Sequence, residues 1–240
     1  MESILLHHCR ALLMDEENTL LDPAYVVVEG ERIAAVSSTR PQGPFAQEID
    51  CGGNVLMPGL VNAHTHIPMT LMRGYAGGCD LHTWLNDWIF PAEAKLDDRA
   101  VRAGADLALA ELIAGGVTTI ADMYMHTPAI AQAVLAAGIS ANLSCGGVYF
   151  GAPGDFSPAT CPDCDHQRQL TEEFHEAGNG QILVDASIHG EYTSNVPLWQ
   201  WMADYAAAHG LDGVDEVLLV AFVDGANKAQ APGAREKARS

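Results

Sequence analysis

Basic residues are scarce in this chain: it has 12 Lys and Arg against 31 Asp and Glu, which gives a formal net charge of −19 at pH 7. A nucleic-acid-binding surface needs clustered Lys and Arg to displace the counterions around phosphates. Attachment to an anionic membrane surface needs a similar basic patch. The composition therefore argues against both kinds of partner.

Long apolar runs are absent as well. No segment approaches the roughly twenty apolar residues that a bilayer span needs. The first residues, Met1, Glu2 and Ser3, lack the charged-then-apolar pattern of a signal peptide. The 6 cysteines are scattered and do not resemble a disulfide framework. We therefore expect a soluble cytoplasmic protein.

With 240 residues, 48% of them hydrophobic, the chain can bury a sizeable core in one large domain or in one domain with a smaller module. Short apolar runs lie at Ile4–Leu6, Tyr25–Val28 and Ile33–Val36, separated by polar turns. This spacing predicts the strands of a small antiparallel sheet. His7 and His8 lie in this region and are interpreted as strand residues without a ligand role.

From residue 97 onward, helical and strand patterns alternate. The predicted helices span residues 97–116, 128–137, 167–177 and 196–209, and the predicted strands span 117–121, 139–144, 181–188 and 215–223. Such alternation is typical of βαβ units with a parallel sheet. The predicted fold class is α/β: a partial (β/α)8 TIM barrel of about four to five βα units, preceded by a small N-terminal β domain.

The most distinctive stretch runs from Met57 to Met72 and contains His64 and His66. Side chains on an extended segment alternate between its two faces, so these histidines point the same way and can hold one metal ion. A Pro-Gly pair ahead of them and Pro68 behind them supply turn chemistry at both ends. The pair alone does not decide the matter, because paired histidines also serve as packing or surface residues.

Other candidates lie just after the ends of the predicted strands, where the working groups of a parallel barrel lie. Asp122 orients a ligand, joins a polar network or caps the loop, and His126 is weighed in the same way. His189 leaves a strand at a position suited to touching a substrate, whereas Glu191 is interpreted as structural. Glu93 lies near a predicted helix start, where first-turn charge alone would explain an acidic residue.

Cys161 and Cys164, with His166 nearby, have a spacing found in structural zinc sites. Such sites need four ligands, and only one Cys-x-x-Cys pair is present. We interpret this stretch as a loop.

The string from Met57 to Met72 resembles the first barrel strand of the amidohydrolase superfamily. Three short segments downstream of it, Arg73–Tyr75, Trp84-Leu85 and Ile89–Glu93, look like the branch that deaminates S-adenosylhomocysteine and 5'-methylthioadenosine. The resemblance implies Zn²⁺ or another divalent metal on His64 and His66, and hydrolytic deamination of adenine to hypoxanthine. Such a metal lowers the pKa of its water to about 7.

The resemblance also implies substrate-binding residues outside the metal site, with a small nucleoside as the partner. Glu93 falls in the segment where the family's glutamate accepts hydrogen bonds from both ribose hydroxyls, a task that suits a carboxylate. His189 matches the histidine of the family's fourth-strand motif, which binds the nucleoside. Trp84 and Trp88 are then either apolar walls for the base or thioether, or core residues.

The resemblance covers residues 1–211 and then stops. A catalytic zinc needs at least three protein ligands plus water, and the family takes further ligands and its proton-transfer residues from strands five to eight. Where the strand-five histidine would fall, this chain reads Asp212–Glu216, so no catalytic residue beyond the metal site is identified. Cys145 stands where the family's substrate-binding arginine would fall.

These departures lead to the hypothesis of a truncated or frame-altered deaminase with three segments. Residues 1–58 are the incomplete β-rich domain, residues 59–211 are the first half of the barrel, and residues 212–240 are an unrelated or disordered tail. The alternatives are a non-catalytic amidohydrolase fragment, or another amidohydrolase such as a triazine hydrolase or guanine deaminase. A half-barrel leaves an open sheet edge, which favours homo-oligomers or aggregation.

Overall fold

The computed structural model describes residues 3–211. The chain divides into two compact units, the first ending at Gly59 and the second beginning at Leu60. The predicted strand at 215–223 and the predicted tail at 212–240 lie outside the described residues, and the three predicted domain segments stay predictions. No helix in the described part of the chain has the length and apolar character needed to cross a bilayer.

The first unit is a mixed sheet. Its strands are β1 Ser3–Leu12, β2 Leu20–Glu29, β3 Arg32–Ser37, β4 Gln47–Asp50 and β5 Val55–Leu56. The β1–β2 and β2–β3 pairs are antiparallel, as predicted, whereas β4 and β5, for which no strand was predicted, pair with β1 in parallel. β4 and β5 run in the same direction as β1. They pair with the backbone groups on the side of β1 that faces away from β2. β4 is exposed along its whole length, so no apolar run marked it.

The second unit alternates parallel strands with helices. Its strands are β6 Leu60–Thr65, β7 Val117–Met123, β8 Ser140–Ser144 and β9 Ile182–Val184, hydrogen-bonded in that order. Its longer helices are α1 Asp98–Ala114, α2 Thr127–Ala137, α3 Pro162–Phe174 and α4 Val196–His209. Shorter helical segments are Ile67–Met72, Leu81–Thr83, Trp84–Ile89, Phe90–Glu93, Pro153–Asp155 and Ala177–Gly180. This architecture confirms the predicted α/β class.

The core of the second unit lies between the sheet and its helices. Ile120 and Leu143 from the strands are almost fully buried against Val101 of α1 and Ile130 of α2. Burial of each such side chain contributes roughly 1.5–3 kcal/mol. This packing fixes the sheet, and with it the strand ends that carry the candidate site.

The helix ends have local causes. The Asp97 side chain accepts a hydrogen bond from the Ala100 amide at the start of α1, and Asn195 caps α4 through the Leu198 amide. α4 ends at Gly210, whose φ of 65° is in the left-handed region that glycine tolerates.

α3 begins five residues earlier than predicted. Pro162 occupies its first turn, where the absence of an amide hydrogen breaks no helical hydrogen bond. The negative charges of Asp163 and Asp165 stabilise the same turn, because it is the positive end of the helix dipole. The interpretation of Cys161–Cys164 as a loop is therefore wrong from Pro162 onward.

β9 is shorter than predicted. It ends at Val184: the Asp185 amide still donates to the Leu143 carbonyl of β8, but the Asp185 carbonyl accepts a hydrogen bond from the Gln167 side chain of α3. The chain rejoins the sheet only at Ile188, which forms an isolated bridge with Gly147.

Candidate functional site

The two candidate metal histidines lie together at the carboxyl end of β6. The strand ends at Thr65, so His64 is within it and His66 is the first residue beyond it. Their ring centroids are 5.0 Å apart and the rings meet edge to face. The two rings are therefore neighbours, as two ligands of one small ion must be.

The orientation of the His66 ring is fixed by a backbone group. Its Nδ1 atom lies 2.7 Å from the Met123 carbonyl oxygen at the end of β7. A carbonyl only accepts, so Nδ1 carries the hydrogen and the ring's lone pair is on Nε2. Metal-ligating histidines are commonly oriented by such a hydrogen bond from the other ring nitrogen.

Asp122 lies beneath the histidine pair and is buried. Its Oδ2 atom accepts hydrogen bonds from the Thr65 hydroxyl and the Ile67 amide, both at 2.7 Å. Its Oδ1 atom is also buried and has no hydrogen-bond partner among the described residues. Burial raises the pKa of this carboxyl to about 6. Of the three roles considered for Asp122 from the sequence, these contacts correspond to the polar network.

Glu93 is buried rather than presented on a helix surface, with only 7% of its area exposed. The Tyr124 hydroxyl donates a hydrogen bond to its Oε1 atom at 2.7 Å. Burial raises the pKa of the Glu93 carboxyl, while the hydrogen bond from Tyr124 and the proximity of His66 lower it. The Tyr124 ring is 6.2 Å from the His66 ring, so the predicted ribose-binding carboxylate lies close to the histidine pair.

His189 also joins this group. Its ring is stacked 6.1 Å from the His66 ring. Its Nδ1 atom is 3.0 Å from the Thr193 hydroxyl, which donates its own hydrogen to the Gly190 carbonyl.

A cavity lies below these residues, among the ends of the four parallel strands. Its polar lining residues are His64, Thr65, Asp122, Asn142, Ser144, Asp185 and Ser187, and Ala121 and Met123 complete the lining. The ring contacts and the Tyr124–Glu93 hydrogen bond bring together the four residues predicted from sequence, His64, His66, Glu93 and His189, near the carboxyl end of β6.

Other candidates from the sequence lie elsewhere. His126 forms a 2.6 Å pair with Asp98 at the start of α1, which is a surface contact between a loop and a helix. Cys161 and Cys164 are buried with apolar residues such as Leu198. His166 is paired with Asp163 on the same helix turn.

Cys145 and the tryptophans have their own surroundings. The Cys145 thiol lies 3.3 Å from the Gln167 Oε1 atom, and burial raises its pKa well above the ordinary value. Trp88 is 41% exposed and packs edge to face on Tyr75, so it is not a core residue. Trp84 donates to the Tyr75 carbonyl.

The histidine pair supplies part of the donor set that a divalent metal needs. Two neighbouring imidazoles, one with its lone pair directed to Nε2, suit Zn²⁺. Within residues 3–211, however, no group of three or more His, Cys, Asp or Glu side chains is arranged to hold an ion. The pair therefore fits two positions of a site that needs at least one further protein ligand.

Comparison with known proteins identifies the family. The sequence model of the amidohydrolase family matches residues 55–212. The chain belongs to the amidohydrolase family. It is 36% identical over 221 residues to a 5-methylthioadenosine/S-adenosylhomocysteine deaminase of Halobacterium salinarum, covering 89% of this chain and 45% of that protein. It is 38% identical over 186 residues to a 5'-deoxyadenosine deaminase of Methanothermobacter thermautotrophicus, covering 78% and 43%.

Solved amidohydrolase structures agree with the fold. An adenosine deaminase of Xanthomonas campestris with bound zinc superposes with a TM-score of 0.75 at 27% identity, covering 87% of this chain and 47% of that one. The predicted family, the resemblance to its deaminase branch and the partial barrel are thereby confirmed. The chain spans a little under half the length of the Halobacterium and Methanothermobacter relatives, 45% and 43%.

Sequence reasoning missed the supporting residues of the site. Tyr124, the Met123 carbonyl and Thr65 received no role, although all three contact a candidate residue. The available signal was position: Met123 and Tyr124 come directly after Asp122 at the end of a predicted strand.

Proposed function

We propose that this amidohydrolase chain carries part of the active site of a hydrolytic deaminase of adenine nucleosides that depends on a divalent metal, with Zn²⁺ as the first candidate. The carrying observation is the His64–His66 pair, whose rings are 5.0 Å apart at the end of the first barrel strand. The names of its relatives point to S-adenosylhomocysteine, 5'-methylthioadenosine, 5'-deoxyadenosine or adenosine as the substrate. We retain a cytoplasmic location as part of this proposal.

In this proposal each candidate residue has a separate task. His64 and His66 hold the metal, which when bound activates water near neutral pH for attack on the amine-bearing carbon. Glu93 accepts hydrogen bonds from the ribose hydroxyls through the oxygen that Tyr124 does not occupy. His189 contacts the nucleoside with its imidazole ring, which is held on its Nδ1 side by the Thr193 hydroxyl.

The metal-binding part of the proposal is tested by titrating the full chain with Zn²⁺ after removal of bound metal by a chelator. We expect stoichiometric binding that is weakened at least about tenfold in His66→Ala, because a ligand is lost. The control is His126→Ala, which removes a histidine paired with Asp98 at the surface. Equal affinities for all three proteins would contradict the assignment of the pair.

The substrate part is tested by adding adenosine, 5'-methylthioadenosine and 2',3'-dideoxyadenosine, the analogue that lacks both ribose hydroxyls, to the zinc-loaded full chain. Binding is measured by calorimetry and conversion to the inosine product by ultraviolet absorbance. Glu93→Gln is expected to weaken binding of the ribonucleoside but not of the analogue lacking both ribose hydroxyls, because the amide accepts through only one oxygen. An equal loss of affinity for adenosine and for 2',3'-dideoxyadenosine would contradict the ribose role.

A further inference from the structure

The segment that carries His66 is held on both sides by one carboxylate. Asp122 Oδ2 accepts from the Thr65 hydroxyl and from the Ile67 amide, each at 2.7 Å. These donors belong to the residues immediately before and after His66. Hydrogen bonds to a charged acceptor are stronger than neutral ones, so this clamp restricts the backbone on either side of the ring.

The next residue along β7 completes the clamp. The Met123 carbonyl accepts from His66 Nδ1 at 2.7 Å, so two consecutive residues of one strand end make three hydrogen bonds to residues 65–67. The register supports the arrangement, because Thr65 pairs directly with Asp122 in the parallel ladder. The ring bond needs the backbone of His66 to lie opposite Met123, which is where these contacts hold it.

Burial of the Asp122 carboxylate at this position costs folding stability. Its carboxylate is buried, and its Oδ1 atom has no hydrogen-bond partner in the described part of the chain. A buried charge with an unsatisfied oxygen is poor evidence of a stabilising role and calls for another explanation. Positioning of a neighbouring functional group is such an explanation.

We propose that Asp122 is a positioning residue that fixes the His66 ring, with the hydrogen on Nδ1 and the lone pair on Nε2, by bonding Thr65 and Ile67 on either side of it. The purpose of this orientation, to present Nε2 to a metal, rests on the proposed function. The orientation itself is a property of the metal-free chain and is tested there.

The test is a long-range ¹H–¹⁵N spectrum of the histidine rings in the metal-free, ¹⁵N-labelled full chain at a pH above the ordinary histidine pKa. Signals of His66 are identified by their absence from His66→Gln. We expect the wild-type ring to show a single tautomer with the hydrogen on Nδ1. Asp122→Ala should lose this signature and show the averaged shifts of exchanging tautomers, whereas Asp122→Asn, whose amide oxygen still accepts, should largely restore it.

Two further variants keep the test decisive. Thr65→Val removes one of the two donors to Asp122, together with the 2.9 Å contact of the same hydroxyl with the Ala121 carbonyl, at nearly constant shape. It should shift the tautomer balance partway even if Asp122→Ala does not fold. Ser187→Ala serves as the matched control, because this serine lines the same cavity but bonds Ser144 at 2.6 Å and not residues 65–67.

The inference is overturned if folded Asp122→Ala, or Thr65→Val when Asp122→Ala is unfolded, keeps the wild-type His66 signature. It is equally overturned if wild-type His66 carries its hydrogen on Nε2, or if Ser187→Ala disturbs the ring as much as Thr65→Val does. A later Zn²⁺ titration of the same samples addresses the proposed function separately. Failure to bind zinc would count against the metal site and leave the tautomer result intact.

Discussion

Three consecutive residues at the end of β7 contact most of the candidate site. Asp122 and the Met123 carbonyl hold the His66 segment, and the Tyr124 hydroxyl bonds Glu93. No local sequence rule predicts the Tyr124–Glu93 contact, because its partners are 31 positions apart and meet only through the packing of a short helix on the sheet. The histidine pair was predictable because its spacing alone puts both rings on one face of a strand.

Tyr124→Phe is expected to lower the free energy of unfolding by about 1–3 kcal/mol, because it leaves the buried Glu93 carboxyl without the hydrogen bond from Tyr124. Urea-induced unfolding measures this change. Tyr75→Phe is the control, since Tyr75 is exposed and should change stability by less than about 0.5 kcal/mol. Similar values for the two variants would show that the Tyr124–Glu93 bond does not stabilise the fold.

Stability should depend on pH through Glu93. Burial raises its pKa above the ordinary value of 4.5, so between these two pKa values the folded chain binds more protons than the unfolded chain. The contribution of Glu93 to stability is therefore full below pH 4.5 and is lost as the pH rises through the raised pKa. Denaturation at a series of pH values should show Glu93→Gln losing this decline, whereas the exposed Glu172→Gln keeps it. A Glu93→Gln profile parallel to wild type would contradict the raised pKa.

Secondary-structure elements were predictable where their ends are marked in the sequence. α4 was predicted with its observed bounds, because Asn195 begins it and Gly210 ends it. β4 was missed because its residues are exposed and without an apolar pattern, and the first turn of α3 because it is polar. Elements whose limits depend on pairing partners or on buried polar contacts have no capping residue or apolar pattern in the local sequence to indicate those limits.

One glycine in α1 allows the helix to approach the helical segment next to His66, Ile67–Met72. A Cβ atom on Gly104 would lie 2.5 Å from the Pro68 carbonyl oxygen, and the Thr70 hydroxyl donates to the Gly104 carbonyl at 2.7 Å. The close approach holds this segment against α1.

Gly104→Ala is therefore expected to destabilise the chain by about 1–3 kcal/mol through overpacking, although alanine favours helices by about 1 kcal/mol. Chemical denaturation gives the value. The control is Gly115→Ala at the end of the same helix, where an added Cβ meets nothing nearer than 3.4 Å. A stabilised Gly104→Ala would show that α1 and this segment are not in close contact.

At the scale of the whole molecule, the large negative net charge affects folding stability. A formal net charge of −19 makes the folded chain repel itself, and added salt shortens the screening length from about 10 Å at 0.1 M to about 3 Å at 1 M. We expect the thermal unfolding midpoint to rise by several degrees between these concentrations of sodium chloride, at about 2–4 °C per kcal/mol. An unchanged or lower midpoint in calorimetry would show that self-repulsion does not limit stability.

The assembly of the site is the central claim at this scale: His64 and His66 share one divalent ion at the end of the first barrel strand. The most direct measurement is an anomalous difference map, recorded at the zinc absorption edge, from crystals of the full chain grown with Zn²⁺. We predict one peak at about 2.0–2.1 Å from a ring nitrogen of each histidine, with His66 bound through Nε2. A peak on only one of the two rings, or zinc bound solely elsewhere on the chain, would contradict the claim.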